Sequence, residues 1–381
     1  MNVLYVLGDV PARGTGGYTR LASVVSALAR SHAVEVAWPD RAELVADPAL
    51  GDRATMMPVA GSGLAERLAS AVAELVRGHP VAIAQAIKPA LVRAVRDRVA
   101  GGHAELVVAD QLAAAVTCMR AGVPGAVRCI YNANNVEWSL RAGGGLRQRL
   151  RWAGTRRLER RVLAHFNQAW MVSERDRAAV RELCPGADVR VVPNAVDVGA
   201  IRPVERPAAD PVVLFVGSFD YEPNRRGIEW LATEVMPLVW RARPDARLRA
   251  VGRWPGKPWR PEDERVELAG FVPDIRDAYV AARCCVAPLA ESGGTPLKVV
   301  EALAVGLPLV ATSTAVRALD ALEPGRDVLV ADGREAFAAA LLDVLDSGYE
   351  HGARGGRARA VIERNYSVDA IAGVLDRALS A

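Results

Sequence analysis

Residues 289–312 read LAESGGTPLKVVEALAVGLPLVAT, and the reading of this stretch decides the fold. A small-residue turn, Ser292, Gly293, Gly294 and Thr295, runs into Pro296 at an expected first helical position, with a cation at Lys298 and a carboxylate at Glu301. A second turn at Gly306 and Pro308 leads into a strand-like run, Leu309 to Ala311. Loop, short helix, turn and buried strand is how an α/β domain offers a helix N-terminus to an anion. With the helix starting at Pro296, unpaired N–H groups near Thr295 and Leu297 point outward and can hold a phosphate oxygen, to which Lys298 adds a full charge. Glu301, three residues on, is badly placed for a phosphate and well placed for a ribose diol, from which a carboxylate can accept bidentately. The plainer alternative is a capped surface helix with a Lys–Glu pair, although Gly-Gly-Thr-Pro is more than a cap requires.

Outward from this stretch the same alternation recurs. Val3 to Leu7 reads as a buried strand, Gly8 to Gly17 as a glycine loop and Leu21 to Ala29 as a helix, the opening unit of a doubly wound sheet. Strands are expected at Ala33 to Ala37, Leu106 to Ala109, Val127 to Tyr131, Ala169 to Val172 and Val189 to Val192. Helical spacing falls between them at Leu64 to Val76, Pro89 to Val99, Leu146 to Phe166 and Arg175 to Leu183. Repeated β-α-β without hairpin signals predicts a parallel sheet covered on both faces. Pro193, Pro203, Pro207 and Pro211 then mark an aperiodic linker. After it the pattern restarts with strands Val212 to Val216, Arg247 to Val251, Val266 to Leu268, Cys284 to Ala287, Leu309 to Ala311 and Val328 to Val330, and helices Gly227 to Arg241, Asp274 to Ala282 and Glu335 to Leu345. The expected fold class is α/β, with two Rossmann-like domains facing across a cleft. Residues 1–197 form the first, 198–365 the second, and a helix in 366–381 crosses back to pack on the first.

The chain has 381 residues, which suits two domains, and an apolar fraction of 51%, which argues against disorder. With 48 basic and 44 acidic residues intermixed, the net charge of +4 implies no general affinity for nucleic acid. Cys118, Cys129, Cys184, Cys284 and Cys285 lack metal-ligand spacing and read as reduced core residues of a cytoplasmic protein. The N-terminus reads as a strand rather than a signal peptide, and no apolar run reaches the roughly 18 residues of a membrane span. The five histidines show no metal spacing, and no paired acidic motif is placed to hold a divalent ion.

Taken together, GGTPLKVVEALAVGLPLVAT, FVGSFDYEPNRRGIEWL (215–231), VPNAVD (192–197), LAGFVPDIRDAY (268–279) and GTGGYTRL (14–21) resemble the retaining glycosyltransferases of family 4, which have the GT-B fold. VPNAVD alone is weak; the ordered set, spread over nearly the full chain, is strong. The resemblance implies a nucleoside diphosphate sugar, UDP- or GDP-linked, as donor substrate, with no cofactor and no metal. It implies that Glu301 holds the nucleotide ribose. The family's second glutamate falls at Gly293, so Glu291, or backbone amides from Gly293 through Gly294 to Thr295, would contact the sugar. The family's basic pair follows the first strand of the second domain. Ser218 stands at its Arg position after Gly217, and the Lys position falls near Arg225 and Arg226, so Lys298 with Arg225 or Arg226 would stabilise the leaving diphosphate and Asn224 would add a donor. Solvated helix-start arginines are the bland alternative, and Gly252 with Arg253 sits at another strand end. Gly14, Gly16 and Gly17 would lie beside donor and acceptor.

ANNVEW (133–138) is similar to a family segment with His where Asn134 stands, which makes Asn134 and Glu137 acceptor-side candidates, a structural helix-start Glu being the simpler reading of Glu137. Ser173 and Glu174 form a comparable pair, with capping as the simpler role. The basic amphipathic 146–166 segment could sit on anionic lipid, giving peripheral contact with the inner face of a membrane, although a solvated helix packed on its sheet is commoner. The reading that results is a metal-independent, hexosyltransferase-type enzyme acting with retention on a glycan, a lipid-linked glycan or a small natural product. Its rivals are a sugar-nucleotide epimerase of the same fold and a non-catalytic nucleotide-sugar-binding partner.

Overall fold

The computed structural model describes residues 1–9, 11, 16–39, 48–138, 146–205, 208–254, 256, 259–291 and 295–380, with backbone alone for 48–49, 146–151 and 348–352. Gly14, Gly293 and Gly294 lie outside the described residues. Met1–Pro193 with Ile371–Ala381 forms one compact unit and Asn194–Ala370 a second.

Unit 1 is built on strands β1 (Asn2–Leu7), β2 (Ala33–Pro39), β3 (Thr55–Val59), β4 (Leu106–Asp110), β5 (Arg128–Asn132), β6 (Gln168–Met171) and β7 (Val189–Val191). They form one sheet in the order β3-β2-β1-β4-β5-β6-β7, and every pairing is parallel. Its helices are α1 (Gly16–Leu28), α2 (Pro48–Gly51), α3 (Leu64–Val76), α4 (Val81–Ala86), α5 (Pro89–Ala100), α6 (Gln111–Ala121), α7 (Leu146–His165) and α8 (Glu174–Leu183). β1 from Val3 on and all of β4 are buried, as continuous apolar strands must be when helices cover both faces. β3, α2, α4 and α6 are additions to the sequence reading, and α1 begins at Gly16, several residues before the expected Leu21.

Unit 2 repeats the plan with β8 (Val212–Val216), β9 (Arg247–Val251), β10 (Val266–Gly270), β11 (Cys284–Ala287), β12 (Leu309–Ala311) and β13 (Leu329–Val330), parallel in the order β10-β9-β8-β11-β12-β13. Its helices are α9 (Glu222–Trp230), α10 (Met236–Ala242), α11 (Ile275–Val280), α12 (Leu297–Val305), α13 (Ser313–Val316), α14 (Arg334–Asp346) and α15 (Gly348–Asn365). A π-helical turn, Leu231–Val235, joins α9 to α10. One apolar core, including Leu214, Val300, Leu303 and Ile362, fills one side of the sheet, and a second, including Phe215, Val235, Leu248 and Phe337, fills the other.

Two close backbone approaches set the ends of these elements. Gly252 has φ +149°, and a Cβ there would fall 1.8 Å from the Gly217 carbonyl oxygen, so the C-terminal ends of β8 and β9 meet closer than any side chain allows. At the far end of α12, Gly306 closes the helix with φ 84°, and a Cβ on Gly355 of α15 would lie 1.9 Å from its carbonyl oxygen. Arg359, one turn further along α15, donates to the Ala304 carbonyl and, at 3.0 Å, to that of Ile201. A cation on the last carbonyls of α12 also suits its dipole.

The last helix, α16 (Val368–Ser380), belongs to unit 1 from Ile371 on. There Arg128 donates to the Leu379 carbonyl and, at 3.0 Å, to that of Ala378, which also accepts from Gln168 Nε2 at 3.1 Å. The five cysteines are free thiols; all but the half-buried Cys184 are buried.

Candidate active site

In a parallel sheet every strand ends along the same edge, and ligands bind where the strand order reverses. In unit 2 that reversal lies between β8 and β11. The loop after β8 starts with Gly217, and the loop after β11 leads into α12.

α12 starts one residue later than expected. Pro296, with φ −68° and ψ 107°, is its extended N-cap and Leu297 its first residue. The first bond of the turn among the described residues runs from the Val299 amide to the Pro296 carbonyl at 2.9 Å, and the Leu297 and Lys298 amides lie at the N-terminal end of the helix ahead of it. Thr295, just ahead, is 5% exposed, and its Oγ1 is buried without a hydrogen-bond partner. Its carbonyl accepts from Asn194 Nδ2 at 2.9 Å, which pins the loop. A buried hydroxyl without a partner at a helix N-terminus can donate to an acceptor-rich group.

Lys298 Nζ hydrogen-bonds to Asn224 Oδ1 and sits 5.0 Å from the centre of the Phe215 ring. Asn224 is itself fixed by donating Nδ2 to the Ser218 carbonyl at 2.6 Å. It passes so close to Gly217 that a Cβ there would meet Nδ2 at 2.8 Å. Burial drives the Lys298 ammonium down to about 7, partly countered by the Glu301 carboxylate. Burial likewise lifts Glu301 to about 7, with Lys298 opposing. No hydrogen bond from a described residue relieves that carboxylate. The nearby Tyr279 hydroxyl is also without a partner, its pKa raised by burial and then by Glu301. The pair therefore stands in an incompletely solvated site, the state that a bound polar ligand relieves.

The remaining sequence candidates are distributed less evenly. Arg225 Nη1 donates to the Phe219 carbonyl at 2.9 Å, whereas Arg226 forms an exposed pair with Glu222 at 2.6 Å, one turn back on α9. The described partner of Lys298 is thus Asn224 rather than either arginine. Arg253 pairs with Asp220 at 3.3 Å, and Glu291 is exposed. Asn194, Phe215 and Tyr279 are additions to the sequence reading of this site; the Asn of VPNAVD is the available signal for the first.

In unit 1, Gly16 and Gly17 open α1. Asn134 Oδ1 is buried without a partner, while the Glu137 and Trp138 amides donate to Glu159 at 3.3 and 3.2 Å. Glu159 is fully buried, and burial lifts its carboxyl to about 7. Ser173 caps α8, accepting from the Asp176 amide at 3.2 Å. The reversal between β1 and β4 carries a network absent from the sequence reading. Tyr5 Oη donates to Asp110 at 3.0 Å, Asn132 Nδ2 donates to Asp110 at 2.7 Å and to Tyr5 at 2.9 Å, and Arg20 donates to Asn132 at 2.7 Å and to the Val192 carbonyl at 3.0 Å. Burial raises Asp110 to about 6 against the pull of Arg20. A cavity of about 370 Å³ opens beside this edge, lined by Gly8, Asp9, Ser62, Arg67, Gln85 and Lys88 among others. Among the described residues no group of His, Cys, Asp and Glu is arranged to hold a metal ion, and no helix is long and apolar enough to cross a membrane.

Known structures share this fold. Over its full length the chain superposes on sucrose-phosphate synthase from Thermosynechococcus elongatus, with TM-score 0.74, 18% identity, and 99% of this chain and 98% of that one covered. The HepE protein of Anabaena, in complex with UDP and glucose, gives TM-score 0.72 at 15% identity, with both chains covered completely. The chain has the GT-B fold. A third GT-B structure, a variant of S. aureus TarM in complex with Fondaparinux, α-GlcNAc-glycerol and UDP, gives TM-score 0.74 at 9% identity, again with complete coverage of both chains. Residues 210–347, the greater part of unit 2, match the family model described as Glycosyl transferases group 1. No curated protein sequence matches.

Proposed function

We propose that the chain is a retaining, metal-independent glycosyltransferase that moves a hexosyl group from a UDP-linked donor to an acceptor hydroxyl, with unit 2 as the donor domain and unit 1 as the acceptor domain. The observation that carries this reading is the Lys298–Glu301 pair at the first turn of α12, half-buried at the reversal of the sheet and short of hydrogen bonds. The group 1 family match over residues 210–347 supports it, as do the UDP complexes of HepE and TarM.

Roles follow from the chemistry. The Leu297 and Lys298 amides and the Lys298 ammonium receive the diphosphate, whose negative charge grows as the sugar leaves. Thr295 Oγ1 donates to a phosphate oxygen, and Glu301 accepts from the ribose hydroxyls. The bond from the anomeric carbon to the β-phosphate oxygen breaks, with the electron pair leaving on UDP. A bond to the acceptor oxygen forms on the same face, and the acceptor proton passes to the departing phosphate. Arg225 adds charge from α9, and Glu291 with the 293–295 backbone contacts the sugar.

A nucleotide-release assay with UDP- and GDP-sugars, combined with thermal shifts against the free nucleotides, tests the proposal. Binding stabilises the fold by mass action, so UDP is expected to raise Tm and UDP-sugar to be consumed with acceptor. UDP binding without turnover on any acceptor would favour a non-catalytic partner, and isomerised donor without acceptor an epimerase. No shift with any nucleotide would remove the donor site itself.

A further inference from the structure

α3 reverses the usual order of an amphipathic helix. Leu64, Leu68, Val72, Leu75 and Val76 are 68, 59, 59, 43 and 83% exposed, while Glu74 on the other side is fully buried. Spacings of three and four residues bring the five into one row. At 1.5 Å per residue this 13-residue helix presents an apolar ridge about 20 Å long. Glu74 fixes the rotation. It pairs with His79 at 2.8 Å, Arg120 at 3.0 Å and Arg77 at 3.3 Å, so turning the ridge inward would pull the buried Glu74 carboxylate away from both arginines and break its cluster.

The charges around the ridge specify its occupant. Residues 61–100 hold six Lys and Arg against three Asp and Glu. Of the two carboxylates on α3, Glu74 is consumed in the cluster and Glu66 is paired with Arg93. Arg67 is exposed beside the ridge, and Arg77, 43% exposed, stands at its C-terminal end. A second copy stacked on this ridge about a two-fold axis would confront arginine with arginine, with both α3 carboxylates already committed. A surface that is apolar beneath and anionic at its rim satisfies both features. α7 offers charge without the apolar half, because Leu158, Val162 and Leu163 are buried in the core of unit 1.

We propose that α3 is a membrane-docking helix, its Leu64–Val76 ridge entering the headgroup–acyl boundary of an anionic bilayer while Arg67 and Arg77 meet lipid phosphates. Arg67 also lines the 370 Å³ cavity of unit 1, so docking sets that cavity at the bilayer surface, where an amphiphilic acceptor with an acidic headgroup is met. That last consequence rests on the transferase reading; the docking does not.

Co-sedimentation of the full chain with phosphatidylcholine vesicles, with and without phosphatidylglycerol, tests it. Binding is expected with phosphatidylglycerol and is weakened by salt. The double variant Leu68→Gln, Val72→Gln, with circular dichroism and Tm unchanged, should lose about tenfold or more of that partitioning. Arg157→Gln with Arg160→Gln on α7 should lose less. Failure to bind anionic vesicles, equal binding by the α3 variant, or a dimer that the α3 substitutions dissolve while lipid binding is absent would each overturn the proposal.

Discussion

The two strand-order reversals of this molecule make an instructive pair. At β1/β4 in unit 1, Tyr5, Arg20, Asp110 and Asn132 are all buried and bonded to one another, and the arginine also reaches the Val192 carbonyl. At β8/β11 in unit 2, Lys298 has one amide oxygen, Glu301 no hydrogen bond from the described residues, and Thr295 and Tyr279 buried hydroxyls with no partner. Both groups are ionic and both occupy the position where α/β sheets bind ligands. A densely bonded network rigidifies its surroundings, whereas a sparsely bonded one retains binding capacity at the expense of stability.

The largest expected effect falls on the densely bonded side. Arg20→Met would leave the Asp110 charge without its cation and should cost about 3–5 kcal/mol in urea unfolding; a loss below about 1 kcal/mol would erase the distinction between the two reversals. Next comes Lys298→Met. Donor turnover should fall about 10²- to 10³-fold, the scale for deleting one group that stabilises a leaving charge, with the urea midpoint unchanged or raised.

Glu301→Gln sharpens the contrast, because stability and binding should move in opposite directions. Burial raises the folded-state value of Glu301 to about 7, so its ionisation costs stability progressively as pH climbs from the ordinary carboxylate value near 4.5 to about 7. Lys298 runs the other way: the cost of burying its charge is complete below about 7 and fades as pH rises toward 10.5. The Tm of Glu301→Gln relative to the parent should therefore climb between pH 4.5 and 7, while its UDP affinity drops about tenfold at pH 7 for want of charged acceptors to the ribose. A flat Tm difference across that range would show that the carboxylate is relieved by groups other than a ligand. Thr295→Val is the mildest case. Removing a hydroxyl that has no partner should leave Tm within about 0.5 kcal/mol equivalent or slightly raised, and weaken UDP binding a few-fold in calorimetry.

Much of this architecture is legible in the sequence because parallel strands buried on both faces leave continuous apolar runs, and Val212–Val216, Arg247–Val251, Cys284–Ala287 and Leu309–Ala311 are found where the runs lie. β3 is not legible, since TMMPV carries a Pro and is only partly covered. α15 is hidden for another reason. Its Gly348, Gly352, Gly355 and Gly356 argue against helix locally, and packing on α12 overrides that propensity. At the proposed donor site, Lys298 and Glu301 are visible because they share one helical turn that follows a glycine loop in the sequence. The network of Tyr5, Arg20, Asp110 and Asn132 is not, because its members come from three strands and a helix and each alone reads as an ordinary polar strand end or helix residue.

The contact between Gly306 and Gly355 gives α12 a fixed heel. Even a methyl group at 355 would have to displace the Gly306 carbonyl, from which it would stand 1.9 Å, and a short rigid helix passes such a push along its axis to its opposite tip. Lys298 rides on that tip. The alignment of the N-terminal end of α12, where the proposed diphosphate site lies, is thus calibrated from the back of unit 2, and a screen for impaired variants would collect substitutions at Gly355 and Arg359 that touch no substrate at all.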